Sequence, residues 1–495
     1  MNLYGSDYRG QYPVARAPVH WHHHQRRAML QAIVLAGLLV VTALLVGCDG
    51  GVQQVPVNTP AVAPLLIPPL LEPTIENGVS HYDLTVGTSQ HDYKQARMTD
   101  TYSYNGLSVL GPTLRLRSGA SVAINVTNAL DEVTTTHWHG GDVPAEDDGG
   151  PHSPIEPGTT WVADFDVIQP AATLWYHPHR HGVTAEHVYR GAAGLIIIDD
   201  DNPAGTLLPA TYGIDDIPVI IQDRDFTGDG QFDFAIDGDG QGNQDGVLTV
   251  NGTINPYVET PTGLVRLRLL NGSQARIYQL SVEGAEMTKI ASDGGYLPSP
   301  VVLEQLTLAP GDRAEIIVNV GPASAALVDS TFGRVLELRS NKSASGTGVL
   351  PEKLVTIDRI SESEITVDRS FRMEDAGNFW EFSPSWAFNG IQFDISRVDE
   401  SVQFGNTERW TLSSGDGQHV FHVHQTMFQI LSINGEPPPL EESGWEDSVL
   451  VNGAREVVIA ARFNSYAAEE IPYLFHCHIL DHEDLGMMGQ FLIVE

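Results

Sequence analysis

The chain has 495 residues, which is enough for about three domains, each with its own core. It carries 63 acidic and 27 basic side chains, for a formal net charge of −36. A surface of this sign repels phosphate backbones, so we expect no nucleic-acid partner. The two cysteines, Cys48 and Cys477, each stand in a motif of their own, and no intrachain disulfide is therefore expected.

The first 47 residues have the layout of an export leader. Residues 29–46 are almost wholly apolar and follow Arg26 and Arg27. The next letters, LVGC at 45–48, resemble a bacterial lipobox that ends in Cys48. We therefore expect an exported protein, periplasmic or at the cell surface, that a lipid on Cys48 tethers to the membrane. A plain transmembrane anchor stays open, because the apolar run is near the lower limit for spanning a bilayer, and so do Sec and twin-arginine export.

Proline recurs among small apolar residues between positions 52 and 73. Such a composition favours an extended chain over a packed element. We predict a tether over residues 48–75 that holds the body of the protein away from the membrane.

From position 82 onwards the sequence has the pattern of β-strands. Apolar side chains alternate at Tyr82, Leu84 and Val86, and the same alternation returns between 122 and 126. Gly, Pro and Asn separate these runs, and long helical periodicities are missing from the sequence. The pattern predicts an all-β architecture of sandwiches.

An internal repeat divides this β-rich part. ATLWYHPHRH followed by GAAGLIII near residue 195 parallels PYLFHCHILDH followed by GMMGQFLIV at the end of the chain. Between His187 and His419 there is no histidine. We therefore predict three modules, over 76–202, 203–350 and 351–495, and the middle one has no histidine motif.

Four His-x-His pairs are the main chemical signal of the sequence. Side chains two residues apart on an extended segment point to the same face, so each pair offers two imidazoles to one site. Four pairs offer eight nitrogen ligands, which is a coordination set for several metal ions. The pairs are His137/His139, His177/His179, His422/His424 and His476/His478.

The last pair also encloses a cysteine, in the string H-C-H-x3-H-x4-M. A thiolate, two imidazoles and a weakly held thioether are the ligands of a blue-copper electron-transfer site, so Cys477, His482 and Met487 would supply three of the four. His419 is left over as the missing histidine. If the chain is extended here, Cys477 points to one face and its two histidine neighbours to the other, so one strand touches two metal sites.

These motifs, in this order and at these separations, resemble the multicopper oxidases. HCHILDHEDLGMMG is most similar to the bacterial copper-efflux and laccase-like branch, and the resemblance runs from Tyr82 to Glu495. It implies three cupredoxin-like Greek-key β-sandwich or barrel domains, with a three-copper cluster between the first and the third. It also implies four copper ions: a type 1 copper on His419, Cys477, His482 and Met487, a type 2 copper on His137 and His422, and a type 3 pair on His139, His177, His179, His424, His476 and His478.

The resemblance also implies the reaction. One-electron oxidation of small reductants, of the phenolic type that laccases use, is coupled to four-electron reduction of dioxygen to water. Asp148 and Glu483 match the positions of the carboxylates that deliver protons in the family, and the alternative is that both are ordinary turn or surface acids. Electrons are expected to enter at His482 or His419.

The identity of the electron donor is the least constrained expectation. Cuprous ion, oxidised for copper tolerance, is the second candidate, and Asp416 could help a cation to dock. The methionines do not cluster apart from Met487 and Met488, which favours a more open, laccase-like site. A non-enzymatic copper-binding protein on the same fold is a third possibility. We expect a monomer that meets the membrane only through its N-terminal lipid or anchor.

Overall fold

A computed structural model describes residues 61–236, 246–377 and 385–495, with the backbone only at 342–345. The predicted leader over 1–47, Cys48 and the first part of the predicted tether lie outside the described residues. Strands dominate the described parts, and their helices are all short. None of these helices has the length and apolar character needed to cross a membrane.

The first sandwich consists of two sheets with a shared apolar core. One sheet has the order β2-β6-β11-β10-β8, and the other has the order β3-β4-β7-β9 with β5 on β4. The alternation at Tyr82, Leu84 and Val86 lies on β4, and all three side chains are buried as predicted. The elements of this part are β1 (Ala63–Pro64), β2 (Leu70–Leu71), β3 (Thr74–Glu76), β4 (Val79–His91), β5 (Thr99–Tyr104), β6 (Thr113–Arg117), β7 (Ser121–Asn128), β8 (His137–His139), a 3-10 helix (Ala145–Asp147), β9 (Thr160–Asp166), β10 (Ala172–His177), α1 (Thr184–Tyr189) and β11 (Gly194–Asp199).

The middle sandwich is joined across its two layers by one long strand, β15. The first part of β15 pairs with β22, and its second part pairs with β12 and β20. Alternate side chains of β12, among them Ile217, Val219 and Ile221, fill the core between the layers. The elements are a 3-10 helix (Gly205–Leu207), β12 (Asp216–Arg224), β13 (Val247–Val250), β14 (Thr253–Ile254), β15 (Pro256–Asn271), β16 (Tyr278–Glu283), β17 (Met287–Ser292), β18 (Gly295–Leu303), β19 (Leu306–Leu308), β20 (Arg313–Val320), β21 (Ala325–Asp329) and β22 (Gly333–Ser345).

The third sandwich again has two five-stranded sheets. Their orders are β24-β23-β26-β30-β28 and β25-β32-β31-β27-β29, and aromatic side chains such as Trp410, Phe421 and Phe475 fill the core between them. The elements are a 3-10 helix (Glu362–Glu364), β23 (Ile365–Asp375), β24 (Trp386–Phe388), β25 (Glu400–Gln403), β26 (Thr407–Ser414), β27 (Gln418–Val423), β28 (Phe428–Ile433), a 3-10 helix (Leu440–Glu442), β29 (Ser448–Asn452), β30 (Val457–Arg462), β31 (Ala468–Cys477), α2 (Leu480–Asp484) and β32 (Met488–Val494).

The expected tether over 48–75 is wrong for its described part, residues 61–75. Here β1 pairs with β15 of the middle sandwich, and β2 pairs with β6 of the first. Ala61 and Leu65 are buried, and Asn251 donates from its amide to the carbonyl of Leu66. Proline lacks an N–H, which limits the pairing to two-residue stretches, but the apolar residues between the prolines gain enough from burial to hold the segment on the body.

The predicted repeat is present in the first and third sandwiches. His137 of β8 stands opposite His177 of β10, and His422 of β27 stands opposite His476 of β31. A short helix and an outgoing strand follow in each copy. The two helices, α1 and α2, are in contact, and the carboxylate of Asp484 accepts hydrogen bonds from the backbone N–H groups of residues 182, 184 and 185. The histidine-bearing strands of the two copies are thereby brought face to face.

Asp142 of the first sandwich contacts residues of the third sandwich. This contact makes the stability of the protein depend on pH. Its carboxylate accepts hydrogen bonds from the Ser465 hydroxyl at 2.6 Å and the Gln425 amide at 3.4 Å, and burial raises the pKa of Asp142 to about 7. Between about pH 4 and pH 7 the folded protein therefore holds a proton that the unfolded chain, with an ordinary carboxyl pKa near 4, has lost. The free energy of unfolding must fall as the pH rises through this window.

We therefore predict that Asp142→Asn stabilises the protein at pH 7.5 but not at pH 4.5. The amide carries no charge, so the cost of ionising a partly buried carboxyl disappears, while its oxygen still accepts from Ser465. The unfolding temperature is measured for the variant and the wild type at both pH values. The increase in the variant should be a few degrees larger at pH 7.5 than at pH 4.5. An equal difference at the two pH values would contradict the prediction.

Candidate metal centres

The thiol of Cys477 lies at the end of β31 beside two of its predicted partners. Its Sγ is 3.5 Å from Nδ1 of His482 and 3.9 Å from Nδ1 of His419, and the two Nδ1 atoms are 3.1 Å apart. β27 supplies His419, and α2 supplies His482. Met487 is fully buried in the same apolar core, and its carbonyl accepts the N–H of Cys477 at 3.0 Å. Burial raises the pKa of the Cys477 thiol to about 12, so a thiolate here needs a cation beside it.

The other eight predicted histidines meet between the first and third sandwiches. All eight are buried, and rings from the two sandwiches stack in pairs. His137 lies on His424 with 3.9 Å between the ring centroids, and His139 lies on His422 with 3.8 Å. Ligand nitrogens within 4.8 Å of one another form three groups: His137, His422 and His424; His139, His177 and His478; and His179, His424 and His476.

Several nitrogens in this cluster have no hydrogen-bond partner among the described residues. They include Nε2 of His137, His177 and His422 and Nδ1 of His139. Burial lowers the pKa of His137, His139 and His177, to about 3 for His177, so these three rings are neutral and their lone pairs are available. Unpaired buried nitrogens are costly, and a metal ion bound among them would remove that cost. Neutral imidazoles beside a Cys and His site suit copper.

In three of the rings, a hydrogen bond on the outer nitrogen fixes which nitrogen points inward. Nδ1 of His137 donates to the carbonyl of Asp148 at 2.8 Å, and Nδ1 of His177 donates to the carbonyl of Pro178 at 2.8 Å. His139 is turned the other way, because its Nε2 lies 3.1 Å from a carboxylate oxygen of Asp447, which leaves Nδ1 inward. Such outer partners hold a metal-binding histidine in one tautomer and one orientation.

The two predicted carboxylates lie behind one group of three rings. Oδ2 of Asp148 accepts from Nδ1 of His424 at 2.8 Å. Glu483, which follows His482 in α2, lies 3.3 Å from Nδ1 of His179 and 3.2 Å from Nδ1 of His476. Both carboxyl groups are buried, and burial raises the pKa of each well above its usual range. They are therefore part of the histidine cluster and not surface acids.

Three further residues of these sites were missed from the sequence. Asp447 contacts His139 and, through its carbonyl, Nδ1 of His422 at 2.9 Å. Although burial opposes its ionisation, Arg313 of the middle sandwich holds the pKa of Asp447 well below its usual range. Trp386 stacks on the ring of His482 with 3.9 Å between the centroids and covers it. None of the three stands in a motif, and no sequence signal separates them from ordinary core or surface residues.

The comparisons with known proteins agree with this geometry. Family models described as multicopper oxidase match residues 85–203, 226–334 and 365–495, which is most of the chain. The chain belongs to the multicopper oxidases. This confirms the predicted family, the all-β fold of cupredoxin-like sandwiches, and an oxidoreductase that uses copper.

Similar proteins match most of the length of this oxidase. The multicopper oxidase mco of Staphylococcus haemolyticus is 34% identical over 426 residues, covering 84% of this chain and 89% of the relative. The cell division protein FtsP of Escherichia coli is 35% identical over 454 residues, covering 87% and 92%. The structure of a laccase-like multicopper oxidase, CueO from the lignin-degrading bacterium Ochrobactrum sp., is 35% identical with a TM-score of 0.80, covering 87% of this chain and 100% of that one.

Proposed function

We propose that this multicopper oxidase holds four copper ions, one of type 1, one of type 2 and a type 3 pair. The observation that supports this most is the set of eight buried imidazoles with nitrogens directed inward, beside a separate Cys and His group. The proposed type 1 ligands are His419, Cys477, His482 and Met487. The proposed type 2 ligands are His137 and His422, and the type 3 ligands are His139, His177, His179, His424, His476 and His478.

Bound copper would supply one-electron redox chemistry that couples oxidation of a donor to reduction of dioxygen to water. The chain supplies the connection between the two centres through Cys477 and its neighbours. His476 and His478 are bonded to Cys477 on either side, and Nδ1 of His476 also donates to the carbonyl of Cys477 at 3.1 Å. A covalent path and a hydrogen-bonded path therefore link the thiol to the histidine cluster.

Reduction of oxygen to water consumes protons, and Asp148 and Glu483 are the proposed carriers of these protons. Each contacts the outer nitrogen of a cluster ring, so a carboxyl group lies one ring away from the space where the cluster nitrogens converge. Asp447 is not proposed as a proton carrier, because its contacts to Arg313 keep it ionised.

The proposed donor is a phenolic or other small organic reductant. The similar Ochrobactrum enzyme is described as having oxidase activity towards lignin model compounds and lignosulfonate. Cuprous ion is the second candidate, and a specific contact favours it. Nε2 of His419 donates to the carbonyl of Asp416 at 2.8 Å, and the Asp416 carboxylate, 45% exposed, lies 3.5 Å from the same nitrogen. A cation bound to Asp416 would therefore lie beside a type 1 histidine.

The remaining proposals concern the ends and the organisation of the chain. We propose copper-bearing domains over 76–202 and 351–495 and a copper-free domain over 203–350. We also propose an exported, periplasmic or cell-surface monomer, with a signal peptide over 1–47 and a lipid on Cys48, which the LVGC sequence supports.

The copper assignment predicts four copper ions per wild-type chain and a blue thiolate absorption band. Cys477→Ser should abolish this band and oxidation of every donor, and it should leave about three copper ions per chain, because only the type 1 site loses its strongest ligand. Elemental analysis and visible spectroscopy of the purified proteins measure both quantities. A wild-type protein without the blue band, or a band that persists in the variant, would contradict the copper assignment.

The proton-carrying role predicts that Glu483→Gln slows oxygen reduction by about 10²-fold at unchanged copper content, because the amide cannot carry the proton. Asp484→Asn is the matched control, since Asp484 is the next residue of α2 and binds the backbone of α1 instead of a histidine. It should lower the unfolding temperature without this loss of turnover. If Glu483→Gln instead loses copper, its role is to position the histidines.

The electron donor is identified by measuring the rate of oxygen uptake with a simple phenol or with cuprous ion. Both the wild type and Asp416→Asn are measured. If phenols are the donors, phenol should drive the faster uptake, and the variant should leave this rate nearly unchanged. If cuprous ion drives the faster uptake and the variant raises its KM about tenfold, the second candidate replaces the first. Uptake with neither donor would contradict both.

A further inference from the structure

One buried side chain of the middle sandwich reaches the histidine cluster. Arg313, the first residue of β20, is fully buried. Its guanidinium forms a two-point contact with the carboxylate of Asp447, with Nη1 at 2.7 Å from Oδ1 and Nη2 on Oδ2. The same Oδ1 atom lies 3.1 Å from Nε2 of His139. The middle sandwich, which has no histidine motif, is thus two contacts away from a proposed copper ligand.

Asp447 joins the three sandwiches at one point. Its carboxylate faces Arg313 of the middle sandwich and His139 of the first, and its carbonyl accepts from Nδ1 of His422 in the third at 2.9 Å. The Ser448 hydroxyl adds a hydrogen bond to Oδ1 of Asp447 at 3.0 Å. A shift of this one carboxylate would therefore move the ring of His139.

Arg313 is itself held rigidly, because all five of its guanidinium N–H groups have acceptors. Two of them bind Asp447. Nε donates to the carbonyl of Thr173 in the first sandwich at 3.1 Å, and the other two donate to the carbonyls of Gly311 at 3.1 Å and Asp293 at 3.3 Å. Asp293 also accepts the backbone N–H of Arg313 at 2.7 Å, which fixes the start of β20.

Two glycines beside this contact have no room for a side chain. A Cβ atom on Gly140 would lie 2.6 Å from Nη2 of Arg313 and 2.6 Å from Oδ2 of Asp447, and Gly140 has a φ of +84°. A Cβ atom on Gly311 would lie 2.9 Å from the ring of His478, at a φ of +85°. Both positions favour glycine on conformation and on space, so the arginine, the carboxylate and the rings are packed without slack.

We propose that Arg313 is a positioning residue of the three-copper cluster, through which the copper-free sandwich sets copper binding by the other two. Resting on the proposed function, this assigns Arg313 the task of holding Asp447 so that His139 keeps Nε2 outward and Nδ1 inward. His139 is the ring that depends most on this carboxylate, since His137, His177 and His422 take their orientation from backbone carbonyls. Partners of this kind typically change metal affinity by about 10–100-fold.

The test compares Arg313→Lys with Arg268→Lys. Lysine keeps the charge but loses the planar fork that holds both oxygens of a carboxylate. Arg268 is the matched control because it is equally buried, binds both oxygens of Asp216 at 2.7 and 3.0 Å, and contacts Thr173 of the first sandwich at 2.8 Å. It contacts neither Asp447 nor a cluster histidine among the described residues.

Copper affinity is measured by titrating each metal-free protein with copper against a chelator, with electron paramagnetic resonance to separate type 1, type 2 and uncoupled type 3 copper. Arg313→Lys should weaken binding at the three-copper cluster by about 10–100-fold and change the spectrum of type 3 copper, of which His139 is a proposed ligand, while the blue band persists. Arg268→Lys should lower the unfolding temperature and leave the copper affinity as in the wild type. Equal losses in both variants, or no loss in Arg313→Lys, would overturn the proposal.

A second variant keeps the test decisive if Arg313→Lys does not fold. Asp447→Asn retains the shape of the side chain but removes its charge and one acceptor oxygen, so it should give the same loss of affinity and the same change in the type 3 spectrum. An unchanged spectrum in this variant would contradict the proposal. Failure of the proposed function is a separate result, because the wild type would then not bind four copper ions.

Discussion

The pairing of β27 with β31 is the constraint on which both candidate metal centres depend. Phe421 stands opposite Cys477 and His422 stands opposite His476, so the register that fills the core of the third sandwich also sets the direction of each potential ligand. Because side chains alternate along a strand, His419 and His422, three residues apart, point to opposite faces. His419 therefore meets the thiol of Cys477, and His422 meets the rings of the first sandwich. A slip of one residue would exchange the two faces and destroy both groups at once.

The histidine cluster also bears on how the first and third sandwiches hold together. Rings from the two sandwiches stack, but nitrogens such as Nε2 of His137 and Nε2 of His422 are buried without a partner among the described residues. This contact is therefore costly without a metal ion, and metal binding stabilises only the assembled state. Asp484 acts in the same direction without metal, since its carboxylate joins α2 of the third sandwich to the backbone at α1 of the first.

The features that the sequence predicts are those that strand periodicity determines. The three-sandwich fold follows from alternating apolar residues and from the repeat, and the positions of the histidine pairs follow from their spacing of two. Asp447, Arg313 and Trp386 could not be predicted, because each acts on a partner far away in the chain and has no neighbouring residue that marks it. The tether prediction was wrong for residues 61–75 for a different reason. Its proline content favours an extended chain, but composition does not show that an extended chain can pair with the edges of β6 and β15.

The two copies of the repeat show how a second centre fits on a shared scaffold. The carbonyl of Pro178 accepts from Nδ1 of His177, and the carbonyl of Cys477 accepts from Nδ1 of His476, so the backbone performs the same task in both copies. Only the side chain between the histidines differs. A proline there adds no ligand, whereas a cysteine places a thiol on the far side of the strand, where His419 and His482 lie. One side chain therefore separates a copy that serves only the shared cluster from a copy that also links it to a second centre.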